Sequence, residues 1–560
     1  MVLSTDLKSK IKKLLEEKKY KETVSFIKKN IDPIDRSAGI LNILGVSKLS
    51  EKVRTKEILI SSIDDFRKAF QKDKSTNLGL EIFANFIHTS VELSDVDNSL
   101  VNFDELINLY NNSQNLYLDD YEINNAMKRV YTRLNNPNKV LFHLNQMLQS
   151  NNYSTSDLCF YVYNKMFLND WSQKDFFQYT TLMDGKLIEY SKDKVNDFPN
   201  NKNEKIKIAF LSADIRNSHS ITYFLRSVLQ SYDKKKYQIY LILNQRISDQ
   251  TTSQFQNYVD DVFNIIDLDD IGAINKIRKL DLDFVFDLMG MTSRNRLNLF
   301  KNRIARKQVL WLGYCNTTGI KNMDYIFTDE NLIYPNEASL YSEKIIYLSK
   351  IWNCHAGLNF KRKKINPPVL KKNFITFGCF NNYNKITDQV IDVWSKILNL
   401  VKNSKLVLKS SMNIHSTKRL KEKFKYNGVL DSIIFKETEK EFNNHLELYE
   451  QIDIALDTFP YNGVTTSFEA IFMGVPVLTM SGYNFNSRCG SSINKNLNLN
   501  DLISKNEEDY ISKAVNLSKD KNLLFKYREL VFNNCMDSSL FDVKNFSKEF
   551  YKRIDQLYSQ

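Results

Sequence analysis

Proline and glycine are scarce in this 560-residue chain, at eight and fifteen residues, and they are unevenly placed. Positions 1 to 200 hold 4 Gly and 3 Pro, against 11 Gly and 5 Pro in the remaining 360, so the first part has few residues that would interrupt a helix. The six cysteines, Cys159, Cys315, Cys354, Cys379, Cys489 and Cys535, are far apart, with no C-x-x-C and no paired Cys/His spacing. This excludes a disulfide framework and a zinc site of the usual spacing. No apolar run approaches the roughly 20 residues of a membrane span, and Met1–Asp6 lacks a basic-then-apolar leader. The expected address is cytoplasmic.

What is present is ordinary for a globular chain: 42% hydrophobic, 12% aromatic and 26% charged residues, too apolar for wholesale disorder. Lys plus Arg at 78 against Asp plus Glu at 66 leaves a formal charge of +12, which favours anionic ligands without choosing among them. No nucleic-acid-binding motif accompanies it, so no nucleic-acid partner is expected.

Apolar residues in the first part recur at three and four, as in Leu14, Tyr20, Val24, Ile27 and in Ile58, Ile63, Phe66, Ala69, Phe70, which predicts packed helix pairs. Ile43-Leu44-Gly45-Val46 and Asp65-Phe66-Arg67-Lys68-Ala69 read as tetratricopeptide-repeat fragments. Phe83-Ala84-Asn85-Phe86 returns about 39 residues after the first, where the usual period is ~34. Residues 1–196 are therefore expected to form a degenerate helical-repeat domain.

After a polar linker near 197–203, strand and helix patterns alternate. Apolar runs at Ile206–Leu211, Ile239–Leu243, Phe284–Leu288, Val309–Leu312, Tyr325–Thr328 and Ile345–Leu348 suit strands buried on both faces of a parallel sheet. A second linker, Lys361–Asn373 with Pro367-Pro368, precedes a new set at Phe374–Phe380, Leu406–Leu408, Ile433–Phe435, Ile454–Asp457 and Val475–Met480. The reading is two doubly wound, Rossmann-like α/β halves, 205–360 and 373–560, with a ligand cleft beyond the carboxyl ends of their strands.

Asp457-Thr458-Phe459-Pro460-Tyr461-Asn462-Gly463-Val464-Thr465-Thr466-Ser467-Phe468-Glu469-Ala470 leaves a strand and enters a helix. Asn-Gly supplies a tight turn. Thr465 and Thr466 place hydroxyls beside free backbone N–H groups at the positive end of the helix, an anion cradle. Glu469, one turn on, is placed to accept from a ribose diol.

With Met473-Gly474-Val475-Pro476-Val477-Leu478-Thr479-Met480, this segment resembles the catalytic region of the O-linked N-acetylglucosamine transferase family. Other motifs follow in family order: Ser212-Ala213-Asp214-Ile215-Arg216-Asn217-Ser218-His219-Ser220-Ile221, with one extra residue before His219; Trp311-Leu312-Gly313-Tyr314; Met323 to Asp329; Tyr341 to Lys344; and Phe380-Asn381-Asn382-Tyr383-Asn384-Lys385-Ile386. The resemblance covers roughly residues 205 to 555.

It implies a GT-B glycosyltransferase that moves N-acetylglucosamine, with inversion, from UDP-N-acetylglucosamine to Ser or Thr of protein or peptide acceptors. His219 is implied near the nucleophile and Lys385 at the leaving phosphate. Asn382, Thr465 and Thr466 fall on the phosphate side, His445 on the nucleoside side and Glu469 at the ribose, with Gly313 also among the nucleotide-sugar-binding residues. Asn-glucosylation, O-fucosylation from a GDP sugar, and a decayed repeat scaffold are the alternatives. Three departures from the family pattern bear on sugar choice and activity: no histidine occurs between 219 and 355, Gly290-Met291-Thr292 lacks a central His or Tyr, and Cys315-Asn316 replaces the Pro-Gly that often follows Gly-Tyr. Asp95-Val96-Asp97, Asp267-Leu268-Asp269 and Asp281-Leu282-Asp283 match the metal-binding pattern of another transferase class but lack its strand context, so neither a metal nor another cofactor is expected.

Overall fold

The structure is a computed structural model that describes residues 4–51, 53–113, 118–150, 152–190, 198, 204–217, 219–409, 414–437 and 441–560. Of the expected linker at 197–203, only Phe198 lies within them. The chain divides into two compact units, Met1–Asp157 with Met412–Arg419, and Leu158–Ser411 with Leu420–Gln560.

The first unit is helical. Its helices include Thr5–Glu16, Tyr20–Asn30, Ala38–Leu49, Lys56–Lys72, Asn77–Val96, Phe103–Asn112, Tyr121–Arg133 and Pro137–Gln149. All of these but Tyr20–Asn30 start at a capping residue, Ser4, Ser37, Thr55, Thr76, Asn102, Asp120 or Asn136, whose side chain accepts a backbone N–H of the first turn. Gly45 lies so close to the fully buried Phe66 that a Cβ there would sit 2.5 Å from the ring. The Phe70 and Phe83 rings stack at 4.6 Å.

In the second unit the first sheet contains β1 (Ile206–Ser212), β2 (Tyr237–Leu243), β3 (Asp261–Asn264), β4 (Phe284–Asp287), β5 (Lys307–Leu310), β6 (Tyr325–Thr328) and β7 (Lys344–Tyr347). They pair in parallel in the order β3-β2-β1-β4-β5-β6-β7. The second contains β8 (Thr376–Cys379), β9 (Lys405–Lys409), β10 (Ile433–Lys436), β11 (Ile454–Leu456), β12 (Val477–Met480) and β13 (Ile503–Ser504), also parallel, in the order β10-β9-β8-β11-β12-β13. Each order reverses direction once, at β1/β4 and at β8/β11, and a ligand crevice belongs at such a point.

Two packing features depart from the order of the chain. Helical texture runs through Gln173–Asp184, yet residues from Leu158 onward pack with the sheets. Gln173 donates to Asn316 Oδ1 at 2.9 Å, and the Thr180 backbone lies against Gly319, whose φ of +71° and lack of space for a Cβ both require glycine. The last helix, Val543–Tyr558, follows the second sheet in sequence but seats Phe550 among Phe210, Phe286, Trp311 and Phe327 of the first, with the Trp311 ring 4.7 Å away. Among the described residues no helix is long and apolar enough to cross a membrane, and all six cysteines are buried and outside any disulfide.

The Gly45 contact yields a stability prediction. In Gly45→Ala the new methyl must displace a ring that has nowhere to go, so the helical unit should lose about 1–3 kcal/mol in urea unfolding followed by circular dichroism. A neutral or stabilising substitution would contradict the packing described.

Candidate active site

A cavity of about 480 Å³ opens where the carboxyl ends of the two sheets face each other. Its wall takes Asp214, Arg216 and His219 from the segment after β1, Thr292 to Arg294 after β4, Leu312, Gly313 and Cys315 after β5, and Trp352 and Asn353 after β7. From the second half come Asn381, Asn382 and Lys385 after β8, and Tyr461 and Val464 to Thr466 after β11. Phe160 and Tyr163 join it, with Ser220, Ile221 and Phe224 of the helix after His219. His219, Gly313, Asn382, Lys385, Thr465 and Thr466 are thus brought together.

The second-half wall is organised by Asp457. Its Oδ1 accepts from the backbone N–H of Gly463 at 2.6 Å and of Thr458 at 2.9 Å, and its Oδ2 from Thr479 Oγ1 at 2.8 Å. Burial pushes this carboxyl up to about 6 even though those donors and Lys385 pull it down. At Gly463 a Cβ would lie 2.7 Å from Asn381 Oδ1 and 2.8 Å from Thr466 Oγ1, so the turn closes only around glycine. The following helix, Thr465–Phe472, has no side-chain N-cap, which leaves its first N–H groups to a ligand.

Lys385 ends the short turn Tyr383–Lys385. Its ammonium donates to the Asn462 carbonyl at 2.7 Å and lies 4.1 Å from the centre of the Tyr461 ring. Burial holds its pKa below the ordinary lysine value, with Asp457 opposing. Exposed Asn382 caps that turn by accepting from the Asn384 N–H at 2.9 Å, whereas its buried neighbour Asn381 donates to Asp457 and Thr458 and accepts from Thr466 Oγ1. The family resemblance pointed to Asn382. The residue that joins the two loops is Asn381, and its burial is invisible in the string Asn-Asn.

His445 and Glu469 meet outside the cavity wall. His445 Nε2 lies 3.0 Å from Glu469 Oε2, which also accepts from Tyr449 Oη at 3.1 Å, and Lys409 Nζ approaches His445 Nδ1 at 3.1 Å. Both bonds to Glu469 fall on one oxygen, Oε2.

Across the cavity, His219 precedes the helix Ser220–Leu229. Its Nε2 is 3.7 Å from Asp214 Oδ1, and its Nδ1 is buried with no hydrogen-bond partner among the described residues. Asp214 Oδ1 also takes Arg294 at 2.8 Å and Arg216 at 3.3 Å, a cluster that sequence reasoning missed although two of its members stand in the His219 motif. Arg294 holds a φ of +62°, and its carbonyl accepts from Asn244 Nδ2 at 2.9 Å. At Gly313 a Cβ would meet the Leu288 carbonyl oxygen at 1.8 Å, so this residue serves the wall by close backbone approach.

The three Asp-x-Asp segments are used elsewhere: Asp95 pairs with Arg133, Asp97 with Lys56, Asp267 with Arg246, and Asp281 and Asp283 with Arg306, while Asp269 caps a helix. Among the described residues no three His, Cys, Asp or Glu side chains gather as a metal ion requires.

Burial depresses the His219 pKa, helped by Arg216 and Arg294 and opposed by Asp214, so the imidazole is neutral at pH 7 and open to a proton. Asp214→Asn removes the opposing anion, and the His219 resonance, followed by NMR and assigned with His219→Gln, should titrate at lower pH than in the wild type. An upward shift would contradict the electrostatics described.

Comparison with known proteins agrees with this geometry. A sequence profile described as Glycosyl transferase family 41 matches residues 180–360 and 361–550. The chain is 31% identical over 342 residues to a probable UDP-N-acetylglucosamine–peptide N-acetylglucosaminyltransferase SPINDLY of Solanum lycopersicum, covering 58% of this chain and 36% of the relative. The protein of the same name from Arabidopsis thaliana is 32% identical over 339 residues, with the same two coverages, 58% and 36%. This chain therefore spans little more than a third of these relatives' length. A mutant of the Thermobaculum terrenum O-GlcNAc transferase shares the fold at a TM-score of 0.77 and 22% identity, covering 93% of this chain and 98% of that one. With the profile matched along both sheets and the cavity residues in place between them, the chain belongs to glycosyl transferase family 41.

Proposed function

We propose that the chain is an inverting glycosyltransferase that moves N-acetylglucosamine from UDP-N-acetylglucosamine to Ser or Thr hydroxyls of proteins. The observation that carries this reading is the meeting, in one cavity, of an uncapped helix start and the half-buried Lys385 ammonium on one wall with the His219 imidazole on the other. The names of the plant relatives agree with it.

The chemistry follows from the residues. The acceptor hydroxyl attacks the anomeric carbon, its proton passes to His219, and the bond from that carbon to the β-phosphate oxygen breaks with its electron pair on the diphosphate. Charge then grows on the terminal phosphate, where preorganised donors have most effect. Lys385 and the N–H groups at Thr465 and Thr466 supply them without a metal, and Asn382 keeps the turn bearing Lys385 in shape. The nucleoside extends toward His445 and Glu469, whose Oε1 is left for a ribose hydroxyl while Oε2 is occupied.

Lys385→Ala should lower transfer at least about tenfold, read as labelled N-acetylglucosamine incorporated from the UDP donor into lysate proteins. Unchanged incorporation would remove Lys385 from the reaction, and labelling only from a GDP sugar would overturn the donor assignment.

A further inference from the structure

Two of the groups lining the cavity carry a buried polar atom with no hydrogen-bond partner among the described residues: Nδ1 of His219 and Oδ1 of Asn353. The proposed reaction employs the first. It gives the second no task. Asn353 follows β7 on the first-half wall, is only 1% exposed and lies next to Trp352, which is equally enclosed. A buried amide oxygen that meets no donor among the described residues is costly to keep unless water or a ligand satisfies it.

We propose that Asn353 is a specificity-determining residue that reads the acetamido group of the donor sugar, an inference that rests on the donor assignment above. A primary carboxamide presents a donor and an acceptor side by side, the complement of the single N–H and C=O of an acetamido substituent. Ile221, Phe224, Leu312 and Trp352 of the same wall offer apolar surface for its methyl. A sugar with a hydroxyl at that carbon would satisfy one end of the amide and leave the methyl surface empty. A site built to pair with a polar substituent discriminates strongly against ligands that lack it, because its own group is then left unpaired.

The test is calorimetric and needs no acceptor: UDP-N-acetylglucosamine, UDP-glucose and UDP are titrated into the wild type and Asn353→Leu. The wild type should prefer UDP-N-acetylglucosamine to UDP-glucose. The variant should lose that preference through a weakening of about tenfold or more for UDP-N-acetylglucosamine alone, with UDP affinity unchanged. Its melting temperature without ligand should be equal or higher, since a side chain with an unpaired buried oxygen has been replaced by a hydrocarbon of similar size. If the leucine variant does not fold, Asn353→Ala carries the same comparison. A variant that binds UDP normally and keeps the preference overturns the inference alone, as does a wild type that binds both sugars equally. A wild type that binds neither UDP nor its sugars overturns the donor assignment and this inference with it.

Discussion

The site depends on the burial of one carboxylate. Asp457 stands directly after β11, 2% exposed, and can be tolerated there only because backbone and side-chain donors converge on both of its oxygens. Meeting that demand draws the chain from Thr458 to Gly463 into a closed turn. The turn presents the Asn462 carbonyl to Lys385, and Gly463 admits Asn381 and Thr466 to each other. The helix that follows begins without a side-chain cap, and Thr465 and Thr466 at its start line the cavity. One unfavourable burial thus sets the positions of the ammonium and of the helix start together.

The opposite wall is supplied by the first sheet and held to the second by specific contacts. Arg488 forms a two-pronged pair with Glu337 at 2.6 and 2.8 Å, and Ser492 donates to the buried Asp329 at 2.8 Å. Phe550, from the last helix, locks the chain's end into the aromatic core of the first half. These contacts join the two halves that carry the His219 imidazole and the Lys385 ammonium on opposite sides of one cavity.

Much of the sheet architecture was legible because parallel strands covered on both faces appear as short apolar runs, as at Ile206–Leu211 and Tyr325–Thr328. The strands missed, β3 and β13, lie at sheet edges. Asp261–Asn264 has two apolar residues among four, with no fully buried position, and Ile503–Ser504 is two residues long, so neither leaves a pattern to read. The shift of packing at Leu158 was also hidden, since a helix looks the same whichever neighbour it serves. At the site, the Gly463–Thr466 turn carried its own local signal, whereas Lys385 was visible only through resemblance. The Asp214–Arg294 pair and the His445–Glu469 contact join residues far apart in sequence, and only the fold brings them together.

The most direct test of this account is a crystal structure of the protein with UDP. The account predicts the terminal phosphate within hydrogen-bonding distance of the Thr465 and Thr466 amides and of Lys385 Nζ, with Asp457 still bonded to Gly463. A diphosphate bound away from that helix start, or Lys385 turned out of the cavity, would contradict it.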